Sequence, residues 1–284
     1  MSYFMSLNPL SLFRAMPGSI AQGMIWGVMA LGVYITFRLL DFADLTVDGS
    51  IATGAAVSVM LIRAGVSPIA TLPIAFLAGA LAGMVTGLLN TTLGIPGILA
   101  SILTQISLYS INLNIMGKAN QPVSVDNYPL VVSLRYVTDG SVSRLLFFLG
   151  MIVFLLALIA VMYWYFGTEQ GHAIRATGCN SNMARAQGIN TNFIKVLALM
   201  ISNGLVGLCG ALYGQFQGAS DVNMGRGAIV IGLAAVIIGE VLFGKFASKR
   251  KLAFAFTLAS VILGAVIYYM VYQFVLWLKM LQRI

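Results

Sequence analysis

Residues 171–196, GHAIRATGCNSNMARAQGINTNFIKV, form a polar stretch between two segments that contain almost only apolar side chains. The stretch holds the only histidine of the chain, His172. No charged residue occurs from Leu145 to Thr168 before it or from Val196 to Ser220 after it. Because an α-helix needs about 20 apolar residues to cross a bilayer, each flank is long enough for one span. The stretch is therefore predicted to be a loop between two transmembrane helices.

The composition of the whole chain indicates a membrane protein. Its 284 residues are 60% hydrophobic and 8% charged, whereas a soluble domain averages about 25% charged residues. The sequence predicts an all-α, polytopic membrane protein with a single domain over residues 1–284. Eight candidate membrane segments are predicted, at residues 20–38, 46–63, 69–93, 98–116, 144–167, 192–216, 228–245 and 252–275. Segments 46–63 and 228–245 are short and contain glycine, so either fits a broken or re-entrant helix that other protein covers.

The net charge of +8 is assigned to contact with the lipid bilayer. Basic residues near the membrane surface interact with anionic lipid headgroups. The sequence has no basic stripe with interleaved aromatic residues, which is typical of nucleic-acid binding. A nucleic-acid partner is therefore not expected.

Small residues recur at four-residue spacing within the predicted spans. Gly79, Gly83 and Gly87 form one such series, and Gly23 with Gly27 form another. A third series consists of Gly210, Gly214 and Gly218. Small residues at this spacing let helix backbones approach closely. Packing within one subunit is favoured over a dimer seam, although small faces serve both uses.

Acidic residues near membrane depth are candidates for function. The spacing of Asp41, Asp44 and Asp48 would place the three carboxylates on one helix face. Asp41 is assigned to a solvated loop, whereas Asp44 and Asp48 fit a helix start or a functional site equally well. Glu240 fits an interfacial residue better than a proton relay. A secondary transporter driven by protons, with Asp44, Asp48 or Glu240 as relay, is the alternative function.

Amide side chains inside the spans suggest a substrate passage. Gln105 and Asn112 lie in the fourth segment, and Asn203 lies in the sixth. Such groups either bond helices together or line a path for solute. We assign Gln105, Asn112, Asn203 and Asp48 to a candidate passage.

Enzyme chemistry is not indicated. His172 and Cys179 are two helical turns apart, but no base and orienting partner accompany them, and a membrane enzyme using the pair is the weakest hypothesis. No set of residues suggests a metal site. Gly239 to Lys245 reads G-x-x-x-x-G-K, but Phe246 replaces the Ser or Thr of a phosphate-binding loop. No nucleotide signature remains, so any use of ATP is expected in a partner.

Three stretches resemble permeases of ABC importers, in the superfamily of branched-chain amino acid and ribose permeases. The first is RATGCNSNMARAQGINTNFIKVLALMISNGLVGLCGALYG, from Arg175. Its positions that match a pattern of that superfamily are Arg175, Ala176, Gly178, Asn180, Ala184, Arg185, Gly188 and Ile189, followed by Gly207 and Gly210; Met183 departs from it. LLDFADLTVDGSIATGAA and GLAAVIIGEVLFGK are the other two, and all three occur in family order. The sequence DFADLTVDGS resembles that of a branch of this superfamily whose binding proteins capture amino acids, including aromatic ones.

The resemblance implies that the polar stretch, at about residues 168–192, is a coupling helix that rests in a groove of an ATPase subunit. It assigns ATPase coupling to Arg175, Gly178, Ala184, Arg185, Ala186, Gly188 and Ile189. Small side chains at Ala184, Ala186 and Gly188 would let that subunit approach closely, and Gly188 can end a short helix. Two ATPase subunits, a second permease copy and an extracytoplasmic solute-binding protein are the implied partners. ATP and magnesium would bind the ATPase, and the membrane would be the bacterial cytoplasmic membrane.

Overall fold

The computed structural model describes residues 9–123, 128, 130–138, 141–247 and 252–278, and it is almost entirely helical, as predicted. A π-helical turn, Ile35–Leu39, follows the first helix. The only strands in these ranges are β1 (Asn120–Pro122) and β2 (Ala219–Asp221), which pair antiparallel. The helices are α1 (Pro9–Tyr34), α2 (Thr46–Arg63), α3 (Pro68–Thr91), α4 (Gly97–Met116), α5 (Leu134–Thr138), α6 (Ser141–Phe166), α7 (Glu169–Cys179), α8 (Ser181–Ala186), α9 (Thr191–Gln217), α10 (Ala228–Ala247) and α11 (Ala253–Trp277).

Six helical segments in the described ranges are long and apolar enough to cross a membrane. They are Leu12–Leu39, Pro68–Thr91, Gly97–Met116, Val142–Phe166, Thr191–Gln217 and Ala253–Trp277. Each overlaps one of the eight predicted segments. The first begins before the predicted residue 20, because α1 continues through Pro17. The two remaining predicted segments are also helices, α2 with 18 residues and α10 with 20.

Helix α9 lies at the centre of the bundle and contacts α1, α2 and α3. A Cβ atom at Gly79 or Gly83 of α3 would overlap a backbone carbonyl oxygen of α9, from Asn203 and Leu199 respectively. Gly210 of α9 approaches the backbone of α2 equally closely. The glycine series therefore packs helices within one subunit, and this prediction is confirmed at these positions.

Helices α2 and α10 begin at the same level of the bundle and run in opposite directions. The first turns of α2 lie beside Asn203, near the middle of α9, and α2 then follows the second half of α9. Helix α10 starts against Asp48 of α2 and extends to Glu240, which pairs with Arg38 at the end of the first span. With 18 and 20 residues, α2 and α10 are about 27 and 30 Å long, which is close to the length of a full span. Both segments form continuous helices, so neither is broken within these bounds, and a re-entrant course stays a prediction.

The stretch that leads into α2 differs from the sequence prediction. Asp41 has a φ of 54° and is exposed, whereas Asp44 is buried. Residues 41–44 are not helical, so Asp41, Asp44 and Asp48 do not share one helix face. The predicted common face is wrong because the backbone turns before α2 begins.

Candidate functional site

A cavity of about 300 Å³ lies where the first turns of α2 and the loop before α10 meet α4. It contains three of the four predicted passage residues, Asp48, Gln105 and Asn112. Its other lining residues are Gly49, Ala52, Ile106, Tyr109, Ser110, Val222, Asn223 and Arg226. We call this space the junction cavity.

Asp48 connects α2 and α10 beside the junction cavity. One carboxylate oxygen accepts a hydrogen bond from the backbone N–H of Gly227, and the other accepts one from Ile229, both at 3.0 Å. These N–H groups belong to the start of α10, where a negative charge is favoured by the helix dipole. Gly225 packs against the backbone carbonyl of Asp48, and a Cβ there would overlap it. Asp48 therefore fixes the start of α10 against α2.

The side chains of Asn112 and Arg226 form no hydrogen bond or salt bridge among the described residues. Asn112 is completely buried, and neither its Nδ2 nor its Oδ1 has a hydrogen-bond partner among the described residues. Arg226 is exposed and forms no salt bridge within the same described ranges. Buried amides in proteins are almost always hydrogen-bonded. The Asn112 amide is thus a buried polar group beside the cavity whose hydrogen-bonding capacity is unused among the described residues.

Asn203 does not line the junction cavity. Its side chain is fully buried and donates to Oδ2 of Asp44 at 2.6 Å and to the carbonyl of Leu199 at 3.1 Å. Its Oδ1 accepts from the Ser50 hydroxyl at 2.7 Å. In this conformation Asn203 bonds α9 to α2 and to the stretch before it. A role of Asn203 in the passage stays a prediction.

The other acids also have partners. Oδ1 of Asp44 accepts from the backbone N–H of Thr46 at 2.9 Å. Glu240 forms a salt bridge with Arg38 at 3.0 Å, and the Arg38 side chain is 61% exposed. This pair joins α10 to the end of the first span. Sequence reasoning placed Glu240 near a membrane boundary but did not identify Arg38 as its partner.

Residues of the polar stretch divide into two groups. Arg175 and Gly178 of α7 face the permease itself. The Arg175 guanidinium lies 4.1 Å from the ring centroid of Phe254 and 5.7 Å from that of Phe166. A Cβ at Gly178 would overlap the carbonyl oxygen of Leu39. These two residues therefore attach α7 to the ends of three long helices.

The loop around α8 contains the outward-facing residues. Arg185, Ala186 and Gly188 are exposed, and Arg185 donates to the Thr191 hydroxyl at 3.1 Å. Gly188 has a φ of 86°, which favours glycine and follows the end of α8, as predicted. No atom lies within 4 Å of a Cβ built at Gly188, so backbone conformation and not space restricts it within the subunit.

Ala184 differs from the expectation that its small side chain faces another subunit. It is 4% exposed, and its size serves packing within the chain. Ile189 is half-buried against the core. Sequence reasoning missed two apolar side chains of this surface, Met183 and Phe193, which are 63% and 56% exposed. We call Met183, Arg185, Ala186, Gly188 and Phe193 the coupling surface.

His172 and Cys179 do not form a paired site. The ring Nδ1 of His172 hydrogen-bonds the backbone carbonyl of Thr168 at 2.8 Å, within its own turn. Cys179 is exposed, and no hydrogen bond joins it to His172 in the described part of the chain. Within that part, no three His, Cys, Asp or Glu side chains cluster in a way that could hold a metal ion.

Comparison with known proteins gives relatives that cover most of the chain. A tyrosine transport system permease protein of Clostridioides difficile (strain R20291) is 39% identical over 262 residues, which are 92% of this chain and 83% of that protein. The inner membrane ABC transporter permease protein YjfF of Escherichia coli (strain K12) is 26% identical over 76% of this chain and 64% of its own length. The autoinducer 2 import system permease protein LsrC of Yersinia pseudotuberculosis (serotype O:3, strain YPIII) is 29% identical over 75% and 58%.

No solved structure matches the chain. The family described as branched-chain amino acid transport system, permease component, matches residues 16–283. The described residues form six helices of spanning length, two further helices of 18 and 20 residues, and a polar loop with an exposed surface. The chain therefore belongs to this family of ABC transporter permeases.

Proposed function

We propose that the chain is the permease subunit of a binding-protein-dependent ABC importer that carries an amino acid, with aromatic amino acids among its substrates. The likeness to a tyrosine transport system permease over 92% of the chain carries this proposal. Two permease copies flank a central passage in the bacterial cytoplasmic membrane. Two ATPase subunits, which bind ATP and magnesium, dock on one side, and a solute-binding protein delivers the amino acid on the other.

The coupling surface supports the docking of an ATPase. Met183 and Phe193 expose apolar area in a loop that is otherwise polar, and exposed apolar groups with a polar rim are typical of protein interfaces. A groove of about 700 Å³ lies beside this surface, between α7 and the start of α9. Because Arg175 and Gly178 bind α7 to the long helices, force on the coupling surface reaches the membrane domain.

The junction cavity supports a solute path. It opens along α4, where Ile106 and Tyr109 are 63% and 44% exposed. A second copy that faced this side of α4 would enclose the cavity between two subunits. The polar residues Gln105, Asn112 and Asp48 would then border a central passage, and alternating access would open it to each side in turn.

Reconstituted transport tests the proposal. The permease, its ATPase and its binding protein are placed in proteoliposomes, and uptake of radiolabelled L-tyrosine is followed with and without ATP. We expect uptake that requires ATP and the binding protein and that continues when a protonophore collapses the proton gradient. Uptake that needs the proton gradient and not ATP would identify a secondary transporter and refute the proposal.

The side of the membrane on which the coupling surface lies is tested with cysteine labelling. Cys179 is exposed and Cys209 is buried, so a membrane-impermeant thiol reagent reports on Cys179. We expect Cys179 to react in inside-out vesicles and not in intact cells. Cys209→Ala serves as the control, since it should leave the labelling unchanged. Reaction from outside intact cells would place the proposed ATPase site on the wrong side.

A further inference from the structure

The junction cavity contains a cation and an amide whose bonding capacity the fold leaves unused. Arg226 lies in the loop before α10 and forms no salt bridge among the residues that the structure describes. The Asn112 amide nitrogen, a donor, and its amide oxygen, an acceptor, both lack a partner within those residues. Asp48, the acid of the cavity, already accepts two backbone N–H groups at the start of α10. The carboxylate of Asp48 is thereby held at α10 and not by the guanidinium.

We infer that the junction cavity binds the transported amino acid, with Arg226 holding its α-carboxylate and Asn112 hydrogen-bonding its ammonium and carboxylate groups. This inference rests on the proposed function, because it names the place in the permease where that substrate is recognised. A guanidinium presents N–H donors in a fork that matches a carboxylate. An amide oxygen accepts from an ammonium group, and an amide nitrogen donates to a carboxylate.

The position of Asn112 makes this assignment specific. A fully buried asparagine without hydrogen-bond partners destabilises the empty protein, because burial removes the hydrogen bonds to water that an exposed asparagine keeps. A polar ligand supplies the missing bonds. Leucine at this position would remove the unsatisfied amide while keeping a similar side-chain volume, so it should not weaken the fold.

The size and remaining lining of the cavity fit an amino acid. Its volume of about 300 Å³ is at the lower end of the range of small-molecule sites, about 300–1,000 Å³. The ring of Tyr109 and the side chain of Ile106 border it and offer apolar contact to a substrate side chain. An aromatic substrate can pack edge-to-face or offset against the tyrosine ring.

The first experiment removes the charge of Arg226 in the intact transporter. Arg226→Gln is compared with Lys118→Gln, which removes an equal charge at an exposed position outside the cavity. At saturating loaded binding protein, we expect Arg226→Gln to lower L-tyrosine uptake at least about tenfold, as the loss of a hydrogen-bonded charge implies. Lys118→Gln should transport like the wild type.

The second experiment measures binding without ATP or binding protein. Radiolabelled L-tyrosine is bound to the purified permease–ATPase complex and displaced with L-tyrosine or with L-tyrosinamide, which lacks the carboxylate. We expect tyrosinamide to compete at least about tenfold less well in the wild type. Arg226→Gln should abolish this preference. Asn112→Leu should abolish binding without lowering the melting temperature, whereas Asn114→Leu, at an exposed position of the same helix, should bind normally.

The outcomes separate this inference from the proposed function. If the wild type takes up no amino acid with ATP, the proposed function fails. The binding experiment then still decides whether the cavity binds a carboxylate group. If ATP-driven uptake is normal in Arg226→Gln, or tyrosinamide competes as well as tyrosine, the inference is overturned while the proposed function stands. A stable Asn112→Leu protein that binds and transports like the wild type would also overturn it.

Discussion

Replacing Asn203 with leucine should destabilise the permease, because this amide provides a hydrogen bond to a buried carboxylate. Asp44 is 1% exposed, and its Oδ2 accepts from Asn203 at 2.6 Å. A buried polar group left without its partner costs about 1–3 kcal/mol, and more if it is charged. Interhelical hydrogen bonds in membrane proteins average about 0.6 kcal/mol, with a maximum near 1.7. The nearly complete burial of Asp44 favours the upper values, so we expect a loss of about 2 kcal/mol, roughly 30-fold in the folding equilibrium.

A double-mutant cycle isolates this contribution. The free energy of unfolding is measured in mixed detergent micelles for the wild type, Asn203→Leu, Asp44→Leu and the double variant. We expect a coupling energy of about 1–2 kcal/mol, because the double variant leaves no unpaired carboxylate. Asn192→Leu makes the same change at an exposed position of α9 and should stay within about 0.5 kcal/mol of the wild type. A coupling energy below about 0.3 kcal/mol would mean that Asp44 and Asn203 share no hydrogen bond of consequence.

Two further substitutions test the packing of α3 and the coupling surface. Gly83→Ala should lower stability by about 1–3 kcal/mol, because its Cβ would overlap the Leu199 carbonyl; Gly150→Ala, with no atom within 4 Å of its Cβ, should not. Equal thermal unfolding of the two variants would contradict the close packing. Met183→Glu should reduce co-purification of the ATPase about tenfold, equivalent to ~1.4 kcal/mol, since a charge replaces an exposed apolar contact. Asn182→Glu adds the same charge beside it and should have less effect; unchanged co-purification of Met183→Glu would exclude this surface.

The sequence predicts the features of this fold that depend on local pattern. Long apolar segments predicted all six full spans, and four-residue glycine spacing predicted the faces on which helices meet. Segments 46–63 and 228–245 were also predicted, and the structure has the continuous helices α2 and α10 there. Asp48, Gln105 and Asn112 were assigned to a candidate passage because polar groups in an apolar span either bond helices together or contact a solute. The structure places all three around one cavity.

Pairings between distant residues could not be predicted in the same way. Asp44 and Asn203 are 159 positions apart, and Arg38 and Glu240 are 202 apart. Such pairs depend on how the helices are arranged, which a pattern in one segment does not contain. The inward direction of Ala184 depends likewise on how the short helix α8 lies against α9. A family pattern marks such a residue without telling which side of the loop it faces.

The contacts also suggest which parts of the permease move together. Helices α2, α3 and α9 meet backbone to backbone at glycines, and such interfaces resist sliding because close-packed groups have no room to give. Helix α10 meets α11 in the same way, because Cβ atoms at Gly239 and Gly264 would overlap carbonyl oxygens of the opposite helix. It is also bonded by Asp48 at its start and by the Arg38–Glu240 pair near its other end. Gly178 of α7 presses on Leu39, next to Arg38. A displacement of the coupling surface therefore has a continuous path of contacts through Arg38 and the stiff helix α10 to Asp48 at the junction cavity. In the proposed transport cycle, α10 connects ATP-driven movement to the site where we place the substrate.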